Sequence, residues 1–129
     1  MRILLVEDYA PYRESLAHRL ELDKHIVVQT SNPREAKEAF ARQNFDLVIL
    51  DNHLGVRLDG NDGIELAGEF KAAKPNVPII MVTGDKTPEV VKLFEEAGGR
   101  VCLNPMEKGL LYYHVDQVDR MSRGRSGGG

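Results

Sequence analysis

The sequence predicts an open, doubly wound α/β fold built as (βα)5. Two observations carry this. Short apolar runs alternate five times with stretches whose apolar residues recur at helical spacing. The runs themselves are almost continuously apolar, as expected of parallel strands covered by helices on both faces. Alternation of this kind implies right-handed crossovers between parallel strands.

The elements follow in order. Ile3–Val6 is a β-prone run that stops at two carboxylates, Glu7 and Asp8. Tyr12, Leu16 and Leu20 then mark the apolar face of a first helix, and Ile26–Val28 is the second strand. Asn32-Pro33 is a helix-start signal, a cap residue before a proline at the first helical position. Ala36, Ala39 and Phe40 give that helix its apolar face. Leu47–Leu50 is the third strand and ends at Asp51. Ile64, Ala67 and Phe70 share a helical face after Gly63, and Val77–Val82 is the fourth strand. Val90, Val91, Phe94 and Ala97 define a helix closed by Gly98-Gly99. Val101–Leu103 is the fifth strand, and Leu111, His114, Val115 and Val118 mark the last helix. Gly109 is a weak point in that helix, costing about 1 kcal/mol relative to alanine in a helix interior.

A chain of 129 residues fits one domain, large enough to bury about two thirds of the surface its unfolded form exposes. We place the domain at residues 1–121 and read 122–129, rich in glycine, serine and arginine, as a flexible tail or cloning remnant. If that segment is a linker, a removed output domain is the expectation. With 42% hydrophobic and 29% charged residues, the composition is that of an ordinary globular protein. A net charge of -3 argues against direct nucleic-acid binding, which needs clustered cations to displace counterions. The lone cysteine, Cys102, sits in an apolar run; a buried, inert thiol in a reducing cytoplasm is the expectation. No apolar stretch approaches the ~20 residues of a membrane span.

In doubly wound sheets, ligands bind beyond the C-terminal ends of the strands. Glu7 and Asp8 follow the first strand, Asp51, Asn52 and His53 the third, Thr83, Gly84 and Asp85 the fourth, and Asn104 and Pro105 the fifth. Of these, the carboxylates of Glu7, Asp8 and Asp51, the Thr83 hydroxyl and the Asn104 amide are expected to converge at one edge. Carboxylates held together repel, which raises a pKa or recruits a cation. An all-oxygen donor set suits Mg2+. One carboxylate is then placed to attack phosphorus and form an aspartyl phosphate, while a cation offsets the charge on the transferring group. Each piece alone is most simply a turn or a cap; their joint placement after three strands is what points to a site. The four histidines do not cluster, so a zinc site is not expected.

These residues resemble the receiver domain family of two-component response regulators, from Arg2 to about Met121. Ile3-Leu4-Leu5-Val6-Glu7-Asp8 looks like the family's first strand and acidic pair. Phe45-Asp46-Leu47-Val48-Ile49-Leu50-Asp51 looks like its phosphorylation-site strand, and Asp62-Gly63-Ile64-Glu65-Leu66 like the start of its third helix. Val77 to Gly84 resembles its fourth strand and switch threonine, and Gly98-Gly99 followed by Asn104-Pro105 has the spacing of its fifth strand. The resemblance implies a flavodoxin-like sheet in strand order 2-1-3-4-5. It implies Asp51 as phosphoacceptor, Asp8 as a direct Mg2+ ligand, Glu7 acting mainly through water, and His53 offering its backbone carbonyl. It makes Thr83 the hydroxyl that turns to the phosphoryl group. It implies a histidine kinase or phosphotransfer protein as donor, no enzymatic role beyond self-phosphorylation and its reversal, and a cytoplasmic setting. It also implies an interface, possible in a homodimer, on the fourth helix, fifth strand and fifth helix, where Tyr112 and Tyr113 lie.

Three departures from the family stand out. Asn104 replaces the usual lysine, offering a hydrogen bond but no charge; Lys86 and Arg57, in neighbouring loops, are the candidate replacement cations. Val101 occupies the usual switch aromatic position. The segment from Asn52 to Asp62 is longer than the family's loop, and Gly55 replaces a common proline. Pro105 is retained, and with it the resemblance implies a cis Asn104–Pro105 bond. A phosphorelay receiver with an atypical switch output is the first reading. The alternative is a receiver-like interaction module that works without phosphate. An enzyme on the same topology is disfavoured, since no nucleophile elbow, GxGxxG or Walker A motif occurs.

Overall fold

Five strands, β1 (Arg2–Val6), β2 (Ile26–Thr30), β3 (Leu47–Leu50), β4 (Ile79–Val82) and β5 (Val101–Leu103), pair in parallel in the order β2-β1-β3-β4-β5. This computed structural model describes the backbone of residues 1–127 and side chains through residue 124. The fold class and strand order are those expected. Register places Val6 beside Leu50, and Val82 beside Leu103, so chain segments leaving these strands emerge along one edge.

Side-chain alternation splits the apolar residues between two faces. Leu4, Val6, Val48, Leu50, Ile79, Met81 and Cys102 pack with α2 (Pro33–Arg42), α3 (Asp62–Ala73) and α4 (Pro88–Glu96). Ile3, Leu5, Leu47, Ile49, Ile80, Val82 and Leu103 pack with α1 (Ala10–Leu22) and α5 (Lys108–Gly127). The helix faces read from the sequence are the buried ones: Leu16 and Leu20, Ala36 and Phe40, Ala67 and Phe70, Val90 and Phe94, Leu111, Val115 and Val118. Asn32 caps α2 by accepting from the Glu35 N–H at 2.9 Å, and Glu35 returns a carboxylate to the Ser31 N–H at 2.8 Å. Thr87 caps α4 through the Val90 N–H.

Four details differ from expectation. β4 starts at Ile79 rather than Val77, because Pro78 has no N–H and the Val77 N–H turns back to the Lys74 carbonyl. α5 is helical through Gly127, beyond the point where a tail was expected to begin; residues 128 and 129 lie outside the described residues. Gly109 lies in its first turn rather than its interior. The Asn104–Pro105 bond is trans, as are all described peptides, so the implied cis bond is corrected. The turn is closed instead by the Asn104 N–H donating to the Glu107 carboxylate at 2.8 Å and the Met106 N–H donating to the Asn104 side-chain oxygen at 2.9 Å. Cys102 is buried, as expected, and its thiol is pushed up by that burial.

Candidate functional site

Parallel pairing of β1 and β3 brings Glu7 and Asp51 side by side just past the sheet, and the Asp51 N–H donates to the Val6 carbonyl at 3.1 Å. Asp8 follows, with its own N–H donating to the Glu7 carboxylate at 3.1 Å. Ligand-type oxygens of Glu7, Asp8 and Asp51 all lie within 4.8 Å of one another. Among the described residues no second such cluster occurs. A cavity of about 260 Å³ opens beside it, lined by Glu7, Tyr9, Tyr12, Asp51, Gly84 and Pro105 among others. A water in bulk occupies roughly 30 Å³, so the cavity has room for a phosphoryl-sized anion together with several waters. A hollow of about 410 Å³ at the opposite edge, around Asp46, Lys74 and Pro78, gathers no such constellation.

Burial and mutual repulsion govern the cluster. Burial first, then the carboxylates of Asp51 and Asp8, push Glu7 up to about 8. Asp51 is also raised by burial, against the pull of its hydrogen bond with Glu7 and of the Asn52 and His53 N–H groups. Three carboxylates therefore share the space by keeping a proton on Glu7. A divalent cation would serve in its place, and an oxygen-only set of this kind fits a hard ion such as Mg2+.

The other expected residues are placed as follows. Thr83 is fully buried between two cavity-lining residues, Val82 and Gly84, and its hydroxyl accepts the Asp85 N–H at 3.2 Å. Its N–H donates to the Leu103 carbonyl at 2.9 Å, which ties it to β5. The His53 imidazole meets the Asp85 carboxylate at 3.2 Å, joining the loops that follow β3 and β4. Asn104 is turned into its own loop: its side-chain oxygen accepts the Met106 N–H at 2.9 Å. The cations considered as replacements for a lysine are engaged elsewhere. Lys86 pairs with Glu107 at 3.1 Å, and Arg57 pairs with Asp59 and Glu65. Tyr112 lies under the Arg19 guanidinium, whereas Tyr113 is exposed.

Several residues organise the site in ways the sequence did not assign to them. Asn52 is fully buried; it donates to Asn61 at 3.0 Å and accepts the Ile64 N–H at 3.1 Å, clamping α3 to the chain after Asp51. Asp62 accepts the N–H groups of Leu54, Val56 and Arg57 at 3.0, 3.1 and 2.9 Å, so the long loop is pinned from within. Gly60, with φ of 77°, leaves space that the His53 ring fills. Tyr12, noted only as part of a helical face, carries a buried hydroxyl with no hydrogen-bond partner. Burial and then the Glu7 carboxylate push it up to about 12, so it keeps its proton. A buried hydroxyl is a tertiary property and leaves no sequence signal.

The model of the response regulator receiver domain family matches residues 3–112. The chain belongs to that family. It is 29% identical over 117 residues, 90% of its length, to the transcriptional regulatory protein GlrR of Escherichia coli. It is 30% identical over 125 residues, 96% of its length, to the response regulator protein FleR of Pseudomonas aeruginosa. The receiver domain spans only 26% and 25% of those two proteins, and 14% of the sensory/regulatory protein RpfC of Xanthomonas campestris. Among solved structures, the receiver domain of HemR from Leptospira biflexa superposes with a TM-score of 0.81 at 28% identity, covering 91% of this chain and 92% of that one. The response regulator protein TrrA of Thermotoga maritima, in complex with Mg2+ and BeF, gives a TM-score of 0.75 at 28% identity over 91% of this chain and 97% of that one.

Proposed function

We propose that this receiver domain accepts a phosphoryl group on Asp51 from the phosphohistidine of a histidine kinase or phosphotransfer protein, in the cytoplasm. The observation that carries the reading is the convergence of Glu7, Asp8 and Asp51 at the C-terminal edge of the sheet. An Asp51 carboxylate oxygen attacks phosphorus; the P–N bond to the donor imidazole breaks, and its electron pair leaves with the imidazole nitrogen. Asp8 and Asp51, with the His53 carbonyl, would hold Mg2+ directly, and Glu7 through water. The ion would offset the carboxylates and draw charge from the phosphoryl oxygens. Thr83, whose hydroxyl only accepts in the present arrangement, has its proton free for a phosphoryl oxygen. The Mg2+–BeF complex of TrrA, a related receiver, is consistent with this. Like receivers in general, the domain is a phosphoacceptor rather than an enzyme turning over an external substrate.

The output is atypical. Asn104 occupies the usual lysine position without charge and with its side chain held in its own turn, and Val101 stands where the family has its switch aromatic. Readout would pass through Thr83 and its main-chain tie to Leu103, toward an output domain, a partner protein or a second copy on the α4–β5–α5 face. The exposed ring of Tyr113 lies on α5 of that face. The test is labelling by a small phosphodonor, read by intact mass. Wild type gains one phosphoryl group only with Mg2+, and Asp51→Asn gains none. Labelling that persists in Asp51→Asn would remove the assignment.

A second reading, a phosphate-independent interaction module, is favoured by the engaged state of Asn104, Lys86 and Arg57. It requires partner binding that ignores both the phosphodonor and Asp51→Ala.

A further inference from the structure

Tyr12 lies in the first turn of α1, and its ring lines the cavity together with Glu7 and Asp51. The same ring packs against the apolar layer under α1 and α5, which fixes its position. Its hydroxyl is buried and makes no hydrogen bond; among the described residues no other buried side-chain nitrogen or oxygen is left so. Buried polar groups in native proteins are nearly always satisfied, and an exception calls for a reason.

The reason lies in how few neighbouring side-chain donors are free: the Thr83 hydroxyl, which only accepts, is one, and the others are engaged. A phosphoryl group on Asp51 brings three oxygens that need donors. Asn104 gives its oxygen to the Met106 N–H and stands in a turn. Lys86 is paired with Glu107, and Arg57 with Asp59 and Glu65. Arg13 donates to the Glu7 main-chain carbonyl at 2.8 Å. Tyr12 keeps its proton and has nothing to give it to.

We infer that the Tyr12 hydroxyl donates a hydrogen bond to the anion seated at Asp51, and so takes on stabilisation of the phosphoryl group that Asn104 does not supply. The inference rests on the phosphoacceptor reading. It makes Tyr12 a binding residue of the phosphorylated state and idle in the unphosphorylated one. A tyrosine donor differs from a lysine in kind: it adds no positive charge, so it recognises the oxygen by direction rather than by field.

The test compares wild type with Tyr12→Phe, which removes the oxygen alone, and with Tyr12→Leu, which keeps apolar packing should the first variant misfold. The probes are Mg2+ alone, beryllium fluoride with Mg2+, and a small phosphodonor read by intact mass. We expect Mg2+ affinity to change less than twofold, beryllium fluoride affinity to fall about tenfold, as for one hydrogen bond to a charged acceptor, and the aspartyl phosphate to form more slowly. Equal beryllium fluoride affinity and equal labelling in wild type and Tyr12→Phe overturn the inference while leaving Asp51 as acceptor. A wild type that takes neither label nor beryllium fluoride overturns the phosphoacceptor reading and this inference with it.

Discussion

Gly63, at the start of α3, packs directly against the main-chain carbonyl of Asp51, so closely that a β-carbon at 63 would overlap that oxygen and crowd the Cα of Asn52. The contact is backbone on backbone, so no side-chain rotation relieves it. Gly63→Ala is therefore expected to push Asp51 out of line with Glu7 and to cost about 1–3 kcal/mol of stability, the range for overpacking. Gly68→Ala, in the same helix with open space around it, serves as control and should be neutral or stabilising by up to about 1 kcal/mol. Urea unfolding of the pair, with phosphodonor labelling, checks both; equal stability would show the contact to be yielding.

Removal of Asp62 should release the long loop. Its carboxylate accepts three main-chain N–H groups and is nearly fully buried. Asp62→Ala leaves those donors unmatched, and a loss of about 3 kcal/mol is expected from bonds to a charged acceptor. Limited proteolysis should cut between Leu54 and Asn61 in the variant and not in wild type. Resistance equal to wild type would mean the loop is held by its ends instead.

The acidic cluster predicts an unusual pH dependence. Glu7 has an ordinary value of 4.5 and a folded value of about 8. Across that window the folded state holds a proton that the unfolded chain has released. Stability is then fully present below the lower value and is lost as pH rises through the upper one. Metal-free protein should unfold at lower urea concentration at pH 8 than at pH 5, both settings lying near the edges of that window. Mg2+ should bind more tightly as pH rises, because it replaces the proton, and should flatten the profile. Stability that rises across the window without Mg2+ would contradict the shared-proton account.

Asn104 is expected to matter for its turn more than for the anion. Asn104→Ala removes the acceptor of the Met106 N–H and should cost about 0.5–1.5 kcal/mol, one ordinary hydrogen bond. Labelling of Asp51 should stay within about twofold of wild type, a change worth less than about 0.5 kcal/mol. A tenfold loss of labelling would show that the side chain leaves its turn to meet the phosphoryl group.

Much of the sheet was legible because strands buried on both faces leave short, continuous apolar runs, as at Leu47–Leu50. β2 was weaker: as an edge strand it is only half covered, and its run extends through polar Gln29 and Thr30. The acidic cluster was legible through topology, since parallel strands deliver their next residues to one edge. The groups that were missed depend on contacts across long sequence separations or within an irregular loop. Nothing in the local sequence at Asn52 announces that its amide is consumed by Asn61 and Ile64, or at Asn104 that its oxygen turns to Met106. The cis bond failed for the same reason: the turn chemistry of Asn104 and Glu107 closes the loop with a trans peptide.

Cys102 turns this fold into its own reporter. The lone thiol is buried on β5, beneath α4, on the strand that receives the Thr83 N–H one residue further on, at Leu103. A thiol reagent reaches it only when that edge of the molecule opens, so at reagent concentrations where reclosing outpaces modification the modification rate, divided by the rate for a free thiol, gives the opening equilibrium of the β5–α4 unit. No label need be engineered and no other cysteine competes. Measured with and without beryllium fluoride, the ratio states in a single number how far an event at Asp51 is felt at the far edge of the sheet.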